Sequence, residues 1–531
     1  MQPVASEPSS GQSSGASSEH LSESSTQARL PTEGNGSNFS MLRPVLRFAA
    51  LTFTLVLVPF LAIRSKAFDI DPDIWWHIRV GDWIAQHHAL PRFGIFSRHA
   101  ERPWTAYSWG FDLLVSGMHS VFGLPAIPSV LLCLEILISL SFLLALRRIG
   151  GDSWWNWWIA TAGIVALYVD SPRPVLLTLL FFTIELLLIF DAERTGDDKL
   201  LYWMGPLFVL WANCHIQFVY GIAVLGIYVG SRILSAILRL DLDERPSQSS
   251  VLKLAGILGM AVVGACIGPN WWWPYTVALG YANQTFIYQE IQEMTAMSFR
   301  RPEHFIELFL VMAACFALGQ SRRRDFFRPA LLVLTAVVSF RSMRDMWFVA
   351  MAASFVIAEA VRERRGSSTG AHAEWPKWET ASYALAVIAA LILSFGYGMG
   401  HGMRTPDMVK YIDRIYPVRA TAFASDSHLK GPMYNDFNWG GFLIFNLPDQ
   451  PVSIDGRNDL YGDELLRRAI DTAGAVNWQS DPDLARANFA LLDRTAPLAS
   501  ALTSDPAYRT VYQDHIAIIF VKQQAAQQPV Q

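Results

Sequence analysis

The sequence predicts an α-helical polytopic membrane protein with one extracytoplasmic α/β domain at its C-terminus. Of its 531 residues, 52% are hydrophobic and only 17% are charged, whereas a soluble chain usually carries charge on about a quarter of its residues. Long apolar runs recur between residues 44 and 399. From residue 405 on, the composition turns polar and short apolar runs alternate with turn signals.

The first segment, residues 1–42, is rich in Ser, Gly, Glu and Gln and almost free of large apolar side chains. Such a segment buries too little apolar surface to offset the entropy lost on ordering, so we expect a disordered tail. It is also too polar for a signal peptide. The first apolar run, 44–63, is therefore expected to remain in the protein as a signal anchor.

A bilayer core of about 30 Å needs about 20 apolar residues per helix. Eleven runs meet or approach this length, and the shorter ones require tilt or interfacial anchoring. We predict about eleven transmembrane helices within a membrane domain that covers residues 43–400. The runs are 44–63, 124–146, 155–169, 175–190, 200–212, 218–238, 251–268, 305–318, 329–340, 346–361 and 381–399.

The placement of lysine and arginine predicts the orientation, because cytoplasmic loops carry an excess of both. If the N-terminal tail is cytoplasmic, every compact basic cluster falls on the cytoplasmic side. An odd number of spans then places the C-terminus outside. The clusters include Arg147-Arg148, Arg194, Arg322-Arg323-Arg324 and Arg362 with Arg364 and Arg365.

The same assignment sends a different set of polar residues outward. Ionisable residues at membrane depth are costly and are by default functional candidates, so their gathering at one interface predicts a site on the outer face. The first outer loop, 64–123, supplies three aspartates and one histidine of the candidate set, and the other candidates lie on other outer turns. These residues are Asp69, Asp71, Asp73, His77, Asn213, His215, Glu293, Arg341 and Arg344.

The stretch Asp71-Pro72-Asp73 has the pattern of a helix start, with Asp71 as the N-cap and Pro72 at the first helical position. We expect this helix to continue to residue 88 and to lie along the membrane surface. A second surface helix is expected near residues 109–122. The tryptophans of the first helix are expected at headgroup level: Trp75, Trp76 and Trp83.

Two interpretations of these carboxylates stay open. Capping and the helix dipole explain Asp71 on the first. On the second, three carboxylates at alternate positions cannot all be caps, so at least one is free to act as a base or a metal ligand. A divalent cation bound by Asp69, Asp71 and Asp73 therefore stays open. His77 is an interfacial histidine on one interpretation and a ligand-binding residue on the other.

An acidic residue after the first span, followed by Trp83-Ile84 and Pro91-Arg92, resembles the first outer loop of GT-C class membrane glycosyltransferases. This superfamily includes protein O-mannosyltransferases and lipid A aminoarabinose transferases. Counting back from Pro91 places Asp71 at the family's essential aspartate, and Pro72 stands where those enzymes carry a second acid. A narrower resemblance, to uncharacterised bacterial membrane proteins of this class, rests on the patterns at 71–77, 211–215, 435–441 and 455–462.

The resemblance implies an inverting transfer of a sugar from a polyprenyl-phosphate donor to an envelope glycan, lipid or protein, at the outer face of a bacterial inner (plasma) membrane. It implies a general base, for which Asp71 is our choice and Asp69 or Asp73 the alternatives. A membrane component of envelope assembly that keeps this fold without catalysis is the competing hypothesis. Nothing in the composition or the net charge of −4 indicates a nucleic-acid partner.

Several candidate ligand-binding residues have a structural interpretation beside the functional one. Arg341 and Arg344 could bind the donor phosphate, or they could form a structural pair with Asp345. Asn213 and His215 could bind sugar or phosphate, or they could satisfy backbone groups between short helices.

Residues 401–531 form the predicted extracytoplasmic domain. Short apolar runs at 442–445, 452–454, 489–492 and 516–521 alternate with helical stretches such as 463–473, a pattern typical of a small α/β domain. Asp436, Asp455 and Arg457 are expected to flank strand ends, where ligand sites often form, although turn formation also explains Asp436. We expect this domain to close over the membrane site and to help choose the acceptor.

Overall fold

The computed structural model describes residues 36–64, 70–167, 171–238, 248–321, 325–365 and 377–523. From Phe48 onward the described chain forms one compact unit. As far as Gly400, its regular elements are helices. The helices are α1 Gly36–Arg64, α2 Pro72–His87, α3 Trp109–Phe122, α4 Ala126–Gly150, α5 Trp154–Ala166, α6 Val175–Thr195, α7 Met204–Ala212, α8 Phe218–Ile237, α9 Gln248–Gly264, α10 Trp273–Asn283, α11 Ile287–Glu290, α12 Pro302–Gln320, α13 Phe327–Arg341, α14 Met346–Arg364 and α15 Lys377–Gly400.

Within the described residues, the larger part of each of the eleven predicted apolar runs lies on a helix. Within the described ranges, six helices are long and apolar enough to cross a membrane: Val45–Arg64, Ala126–Gly150, Val175–Thr195, Phe218–Ile237, Pro302–Gln320 and Glu379–Gly400. The predicted polytopic fold is thus confirmed, and the count of eleven spans stays a prediction.

The predicted disordered tail lies outside the described residues as far as residue 35. From Gly36 onward the chain is helical, so the prediction is wrong for residues 36–42. The physical reason is helix propagation, since each residue added to an existing helix fixes one residue and gains one hydrogen bond. The apolar run 44–63 supplies the established helix that this polar start extends.

Helix α14 lies at the centre of the helical region and packs against α4, α5, α12 and α13. Every side chain from Trp347 to Val356 is buried. A helix that is apolar or small on all sides is expected to be surrounded by other helices. These four neighbouring helices therefore enclose α14.

The two ends of α6 carry separate polar clusters. At its C-terminal end, Asp191 accepts a hydrogen bond from Arg148 Nη2 at 3.1 Å, and Arg362 Nη1 donates to the Arg148 carbonyl at 3.5 Å. Ser171 and Arg173 lie just before its N-terminal end. The 21 residues of α6 span about 30 Å. Basic residues that the sequence assigned to different cytoplasmic loops thus meet at one end of the helices.

Helices α2 and α3 form where the sequence predicts them, and Asp71 caps α2 by accepting the Asp73 N–H at 2.7 Å. The predicted position of Trp75 and Trp76 at the headgroups is wrong, because both are buried. The Trp75 ring packs edge-on against Phe442, with centroids 5.5 Å apart. A segment of the C-terminal region covers this side of α2, which the sequence alone does not reveal.

The C-terminal region forms the predicted α/β structure around a four-stranded sheet of order β1-β2-β4-β3, in which β1 and β2 are parallel and the other pairs antiparallel. The strands are β1 Met433–Asn435, β2 Phe489–Asp493, β3 Tyr508–Gln513 and β4 Ala517–Lys522, and the helices are α16 Thr405–Ile415, α17 Val418–Asp426, α18 Gly440–Asn446, α19 Asn458–Ala473, α20 Pro482–Ala485 and α21 Pro497–Ser504.

The apolar run at 442–445 is not a strand, as the pattern indicated, but part of α18. This helix packs directly on α2, and Gly441 makes the close approach feasible, since a Cβ there would collide with the Pro72 carbonyl oxygen. The apolar side chains of α18 are therefore buried against α2 rather than within the sheet. The run at 452–454 contributes only a single bridge, between Val452 and Ser97 of the first outer loop.

Candidate functional site

The carboxylate of Asp71 is fully engaged at the start of α2. One oxygen caps the helix, and the other accepts hydrogen bonds from Ser171 Oγ, at 3.2 Å, and from Arg173 Nε. Burial raises the pKa of Asp71, but the Arg173 guanidinium and the capping N–H more than offset it, so the pKa lies below its ordinary value. Asp71 is therefore a buried anion with a fixed cationic partner.

Arg173 extends from Asp71 toward a second carboxylate, Glu293, which lies on a short 3₁₀ turn after α11. The other oxygen of Glu293 faces Arg344, with Nη1 and Oε1 3.6 Å apart. Two guanidinium groups thus share one carboxylate. Because each guanidinium has five N–H donors, several remain available to another anion at this point.

Asp73 lies in the first turn of α2, and only one of its carboxylate oxygens is engaged. Its Oδ1 accepts a hydrogen bond from Trp76 Nε1 at 3.0 Å, and within the described residues Oδ2 receives none. Burial, and then the neighbouring charge of Asp71, raise the pKa of Asp73 to about 6. The backbone of Gly456 in the C-terminal region lies against this carboxylate, where a Cβ would collide with Oδ1.

His77 follows on the next turn of the same face of α2. Its Nδ1 lies 2.5 Å from Oδ1 of Asp112, on α3, and both side chains are buried. The imidazole ring stacks on the Trp76 ring, with centroids 3.6 Å apart. His77 is therefore a fixed, buried histidine with a carboxylate partner, not an exposed interfacial one.

The two arginines predicted to bind phosphate differ in their surroundings. Arg344 pairs with Glu293, whereas the Asp345 carboxylate accepts hydrogen bonds from Gln217 Nε2 at 2.6 Å and Tyr220 at 3.2 Å. The alternative of a structural pair between Arg344 and Asp345 is thus wrong. Arg341 is exposed and lies over the ring of Tyr288, 4.8 Å from its centroid.

Asn213 and His215 are held by neighbouring helices. The Asn213 side chain accepts from Trp109 Nε1 at 2.8 Å and donates to the carbonyls of Val209 and Ile267 at 2.7 and 2.9 Å. These contacts satisfy backbone groups between short helices, the structural alternative. His215 is buried, and its Nδ1 lies 2.8 Å from Thr178 Oγ1.

The polar residues of the C-terminal region do not form one site. Asp436 directly follows β1, as predicted. Its carboxylate accepts the Asn438 N–H at 2.9 Å, a contact that agrees with the turn-forming interpretation. Asp455 and Arg457 precede α19 instead of flanking a strand end, so that prediction is wrong. They form a bidentate ion pair with N–O distances of 2.8 and 2.7 Å. The Asp455–Arg457 pair has no exposed surface.

A tyrosine pair and a carboxylate from the C-terminal region lie across from Asp73. The hydroxyls of Tyr107 and Tyr281 lie 3.4 Å apart, and both are within electrostatic reach of Asp459 and Arg344. Burial raises the pKa of Asp459 to about 7. Polar groups from the first outer loop, from α10 and from the C-terminal region thus lie together in one cleft.

The described residues do not provide a metal site: within the described part of the chain, no group of three or more His, Cys, Asp or Glu converges closely enough to hold an ion. At Asp71 a guanidinium already occupies the cationic position. Asp69, the third carboxylate of the predicted cation site, lies outside the described residues.

Comparison with solved structures then identifies the fold. The archaeal oligosaccharyltransferase AglB from Archaeoglobus fulgidus, solved with an inhibitory peptide and a dolichol-phosphate, matches over 92% of this chain and 75% of that one, with a TM-score of 0.51 and 12% sequence identity. This chain has the GT-C fold of membrane glycosyltransferases. The predicted resemblance is thus confirmed for the fold.

Two further structures match at lower similarity. The apo oligosaccharyltransferase of Archaeoglobus fulgidus has a TM-score of 0.46 at 12% identity, over 86% of this chain and 70% of that one. Apo ArnT from Cupriavidus metallidurans has a TM-score of 0.42 at 12% identity, over 91% and 98%. No protein-family model matches the chain. No curated protein matches it in sequence.

Within this GT-C fold, the cleft contains residues that sequence reasoning did not single out as site residues: Arg173, Asp112, Tyr107 and Tyr281. Arg173 carries a usable signal, since it is a charged residue on a predicted outer turn. Asp112 carries none, because its role depends on how α3 packs against α2. The tyrosines are common in interfacial segments, and only the tertiary structure brings them together.

Proposed function

We propose that this chain is a glycosyltransferase that transfers a sugar from a polyprenyl-phosphate carrier to an envelope glycan, lipid or protein. One observation carries the proposal: two guanidinium groups, Arg173 and Arg344, converge on Glu293 beside the carboxylates of Asp71 and Asp73. A cationic pair suits a lipid phosphate, and an adjacent carboxylate suits proton transfer. The GT-C fold and the dolichol-phosphate in the AglB structure support the same assignment.

Arg344 is the proposed anchor of the donor phosphate. Burial lowers its pKa, but Glu293 and its surroundings outweigh this, so Arg344 stays a cation in a partly desolvated cleft. A phosphate would bind the N–H groups of Arg344 that its contact with Glu293 leaves free. Arg173 would stay fixed by Asp71 and contribute its remaining donors. Arg341, stacked on Tyr288, is proposed to act at the edge of this phosphate site.

Asp73 is the better-placed base of the two described carboxylates. A base needs a lone pair that reaches the acceptor hydroxyl and a pKa close to the working pH. Asp71 is enclosed by Arg173, Ser171 and its own helix, and its pKa is lowered. Asp73 retains a free oxygen and has a pKa raised to about 6. Asp71 is then proposed to hold Arg173 in position, the role that its contacts favour.

The proposed reaction is a direct displacement at the anomeric carbon. The acceptor hydroxyl forms the new bond to this carbon while its proton passes to Asp73 Oδ2. The bond from carbon to the phosphate oxygen breaks, and the electron pair leaves with the polyprenyl phosphate, whose charge Arg344 and Arg173 stabilise. Attack opposite the departing phosphate inverts the anomeric configuration. Asp459, Tyr107 and Tyr281, on the far side, would contact the acceptor.

The proposed orientation places the site outside the cytoplasm of a bacterial inner membrane. Its support is that the described basic loops meet at the end of α6 opposite Arg173. We expect an active C-terminal alkaline phosphatase fusion and a dark C-terminal fusion to green fluorescent protein. The opposite pair of results would refute the orientation and, with it, the outer-face site.

The test of activity uses the full chain in lipid nanodiscs and a panel of polyprenyl phosphates that carry radiolabelled sugars. Release of free polyprenyl phosphate reports breakage of the donor bond, whether the sugar passes to water or to an added envelope extract. We expect release with at least one donor. Absence of release across the panel would contradict the proposal.

A non-catalytic role that retains the fold is the second candidate. The observation that favours it is that an arginine and a serine already occupy Asp71, the residue that the resemblance places at the family's essential aspartate. In that case, polyprenyl phosphate would bind and no donor bond would break. Binding and release measured on the same preparation separate the two functions.

A further inference from the structure

Beside the proposed base lies a buried carboxylate–imidazole pair that the reaction described so far does not use. His77 Nδ1 lies 2.5 Å from Asp112 Oδ1. The Trp76 ring covers one face of the imidazole, and the ring of Phe111 meets it edge-on at 5.1 Å between centroids. The imidazole is thus confined from three sides and cannot adopt another orientation without repacking α2 against α3.

The packing of the two helices brings Asp112 to this position. Gly81 lies one turn after His77, and a Cβ there would collide with the backbone carbonyl of Asp112. The absence of a side chain at Gly81 allows α3 to approach α2 closely enough for a short contact between Asp112 and His77. The pair therefore depends on a specific helix contact, not on two flexible surface side chains.

The pairing fixes which ring nitrogen carries a proton. Asp112 as a carboxylate can only accept, so Nδ1 of His77 must donate, and in the neutral imidazole Nε2 then has a free lone pair. Within the described residues, no hydrogen bond reaches Nε2. A histidine whose one nitrogen is held by a carboxylate while the other is bare is the arrangement that proteins use to move protons.

The bare nitrogen belongs to the same cluster as the proposed base. Asp73 and His77 are four residues apart on α2, so their side chains lie on adjacent turns of one face. The charged and titratable groups facing His77 are Asp112, Asp71, Asp73 and His215. Three of them are carboxylates, which can accept a hydrogen bond or a proton from the ring.

We propose that His77 and Asp112 form a proton relay that resets Asp73 after each transfer, an inference that rests on the proposed function. The proton that Asp73 accepts from the acceptor hydroxyl passes to Nε2 of His77, and Asp73 returns to its carboxylate form. The imidazolium, stabilised by Asp112, then releases the proton to water. His77 is the proton carrier, and Asp112 is a positioning residue that holds it in the required tautomer.

The experiment measures donor-bond breakage by the full chain in nanodiscs for the parent, His77→Gly, Asp112→Asn and a control, His87→Gln. His87 is exposed at the end of the same helix, where its Nδ1 lies 2.9 Å from the Trp83 carbonyl oxygen and its ring stacks on the Trp83 ring. We expect kcat to fall about 10²-fold in His77→Gly with an unchanged KM for the donor, and added imidazole to restore part of it. Asp112→Asn should slow turnover about tenfold, and His87→Gln should match the parent.

Two results would overturn the relay in an active protein. One is a parental kcat in both His77→Gly and Asp112→Asn. The other is a loss that comes with a lower melting temperature and a raised KM and that imidazole does not restore, since these changes would mark a structural role.

A second measurement does not depend on activity. The ¹⁵N spectrum of the histidines, with His77→Gly identifying the His77 signals, reports the tautomer directly. We expect Nδ1 protonated and Nε2 bare in the parent, and a loss of that preference in Asp112→Asn. If the parent protein breaks no donor bond, the proposed function fails. The ¹⁵N spectrum then tests only the tautomer assigned to the His77–Asp112 pair. An Nε2-protonated tautomer would overturn the assignment in either case.

Discussion

This protein contains two groups of paired arginines and carboxylates, and they differ in how far they are exposed. In the Asp455–Arg457 pair, both partners are 0% exposed, and Tyr461 and the Ile95 carbonyl complete the contacts. Arg173, Glu293 and Arg344 are 25%, 39% and 29% exposed. The first group has no exposed surface through which a ligand could reach it. The second group is partly exposed, and its two guanidinium groups share Glu293, while Arg173 also pairs with Asp71.

The difference also appears in the protonation equilibria. Burial raises the pKa of Asp455, but Arg457 outweighs it, and the net pKa is lowered, so the ionised form is favoured by folding. Asp73 has its pKa raised to about 6, so its ionised form is disfavoured by folding. One carboxylate stabilises the native state at neutral pH, and the other costs stability. A charged residue in a sequence motif therefore does not by itself identify a functional site. A buried charged group whose pKa is raised and whose hydrogen bonds are incomplete is the better indicator.

The largest expected effect is on the site side of the comparison. Asp73→Asn should lower donor-bond breakage by at least about 10²-fold, because an amide cannot accept the proton. It should also melt at or above the parental temperature, since the raised pKa means that the ionised carboxylate opposes folding at neutral pH. Turnover and thermal unfolding are measured on one preparation. Parental turnover in Asp73→Asn would refute its role as the base.

The paired group should respond in stability instead of turnover. Arg457→Ala leaves the Asp455 carboxylate buried without a cation, and such a change costs about 3–5 kcal/mol in the free energy of unfolding. Chemical denaturation measures it, and turnover per folded molecule should remain parental. The matched control, Asp455→Asn combined with Arg457→Leu, should recover much of the loss because no charge remains buried. If Arg457→Ala were stable but inactive, the Asp455–Arg457 pair would have a functional role, and the comparison would be wrong.

A smaller effect is expected at the donor phosphate. Arg344→Ala removes a charge-assisted contact worth about 1.5–3 kcal/mol, so polyprenyl monophosphate should bind about 10- to 100-fold more weakly. The control is Arg301→Ala, an exposed arginine whose nearest carboxylate is its neighbour Glu303 at 3.7 Å. A binding titration in nanodiscs measures both. If Arg344→Ala binds normally but melts early, its pairing with Glu293 is structural.

The smallest effect is expected at Asp436, the remaining acidic candidate of the C-terminal region. Its carboxylate accepts the Asn438 N–H, and asparagine caps about as well as aspartate. Burial also raises the pKa of Asp436 to about 6, so Asp436→Asn should melt at or above the parental temperature, and turnover should stay unchanged. A clear loss of turnover would place a ligand in the C-terminal region that its contacts do not indicate.

Local sequence signals predicted much of the fold. The N-cap at Asp71, the helix after it and the helix at 109–122 follow from rules that act over a few residues, and all three are observed. The apolar run at 442–445 shows where such rules fail. Its short length and turn signals resemble a strand, yet tertiary packing on α2 makes it a helix.

The sequence predicted where the site lies, but not which of its carboxylates pairs with which arginine. Asp71, Glu293 and Arg344 were recognised as outer-face candidates from charge and topology. Which carboxylate meets which arginine depends on how four chain segments converge, and no spacing in the sequence encodes it. Hence the sequence offered Asp345 as an alternative partner of Arg344, whereas the structure pairs Arg344 with Glu293, and Asp112 was missed.

The most direct test of the central claim is the pH dependence of donor-bond breakage. If Asp73 is the base, the parental rate should rise with pH through about 6 and level off above it, because the base must be deprotonated. Asp71→Asn should shift this rise to lower pH, since the charge of Asp71 contributes to raising the pKa of Asp73. The rise should be absent from the residual activity of Asp73→Asn. A rise near pH 6 that persists in Asp73→Asn would contradict the account.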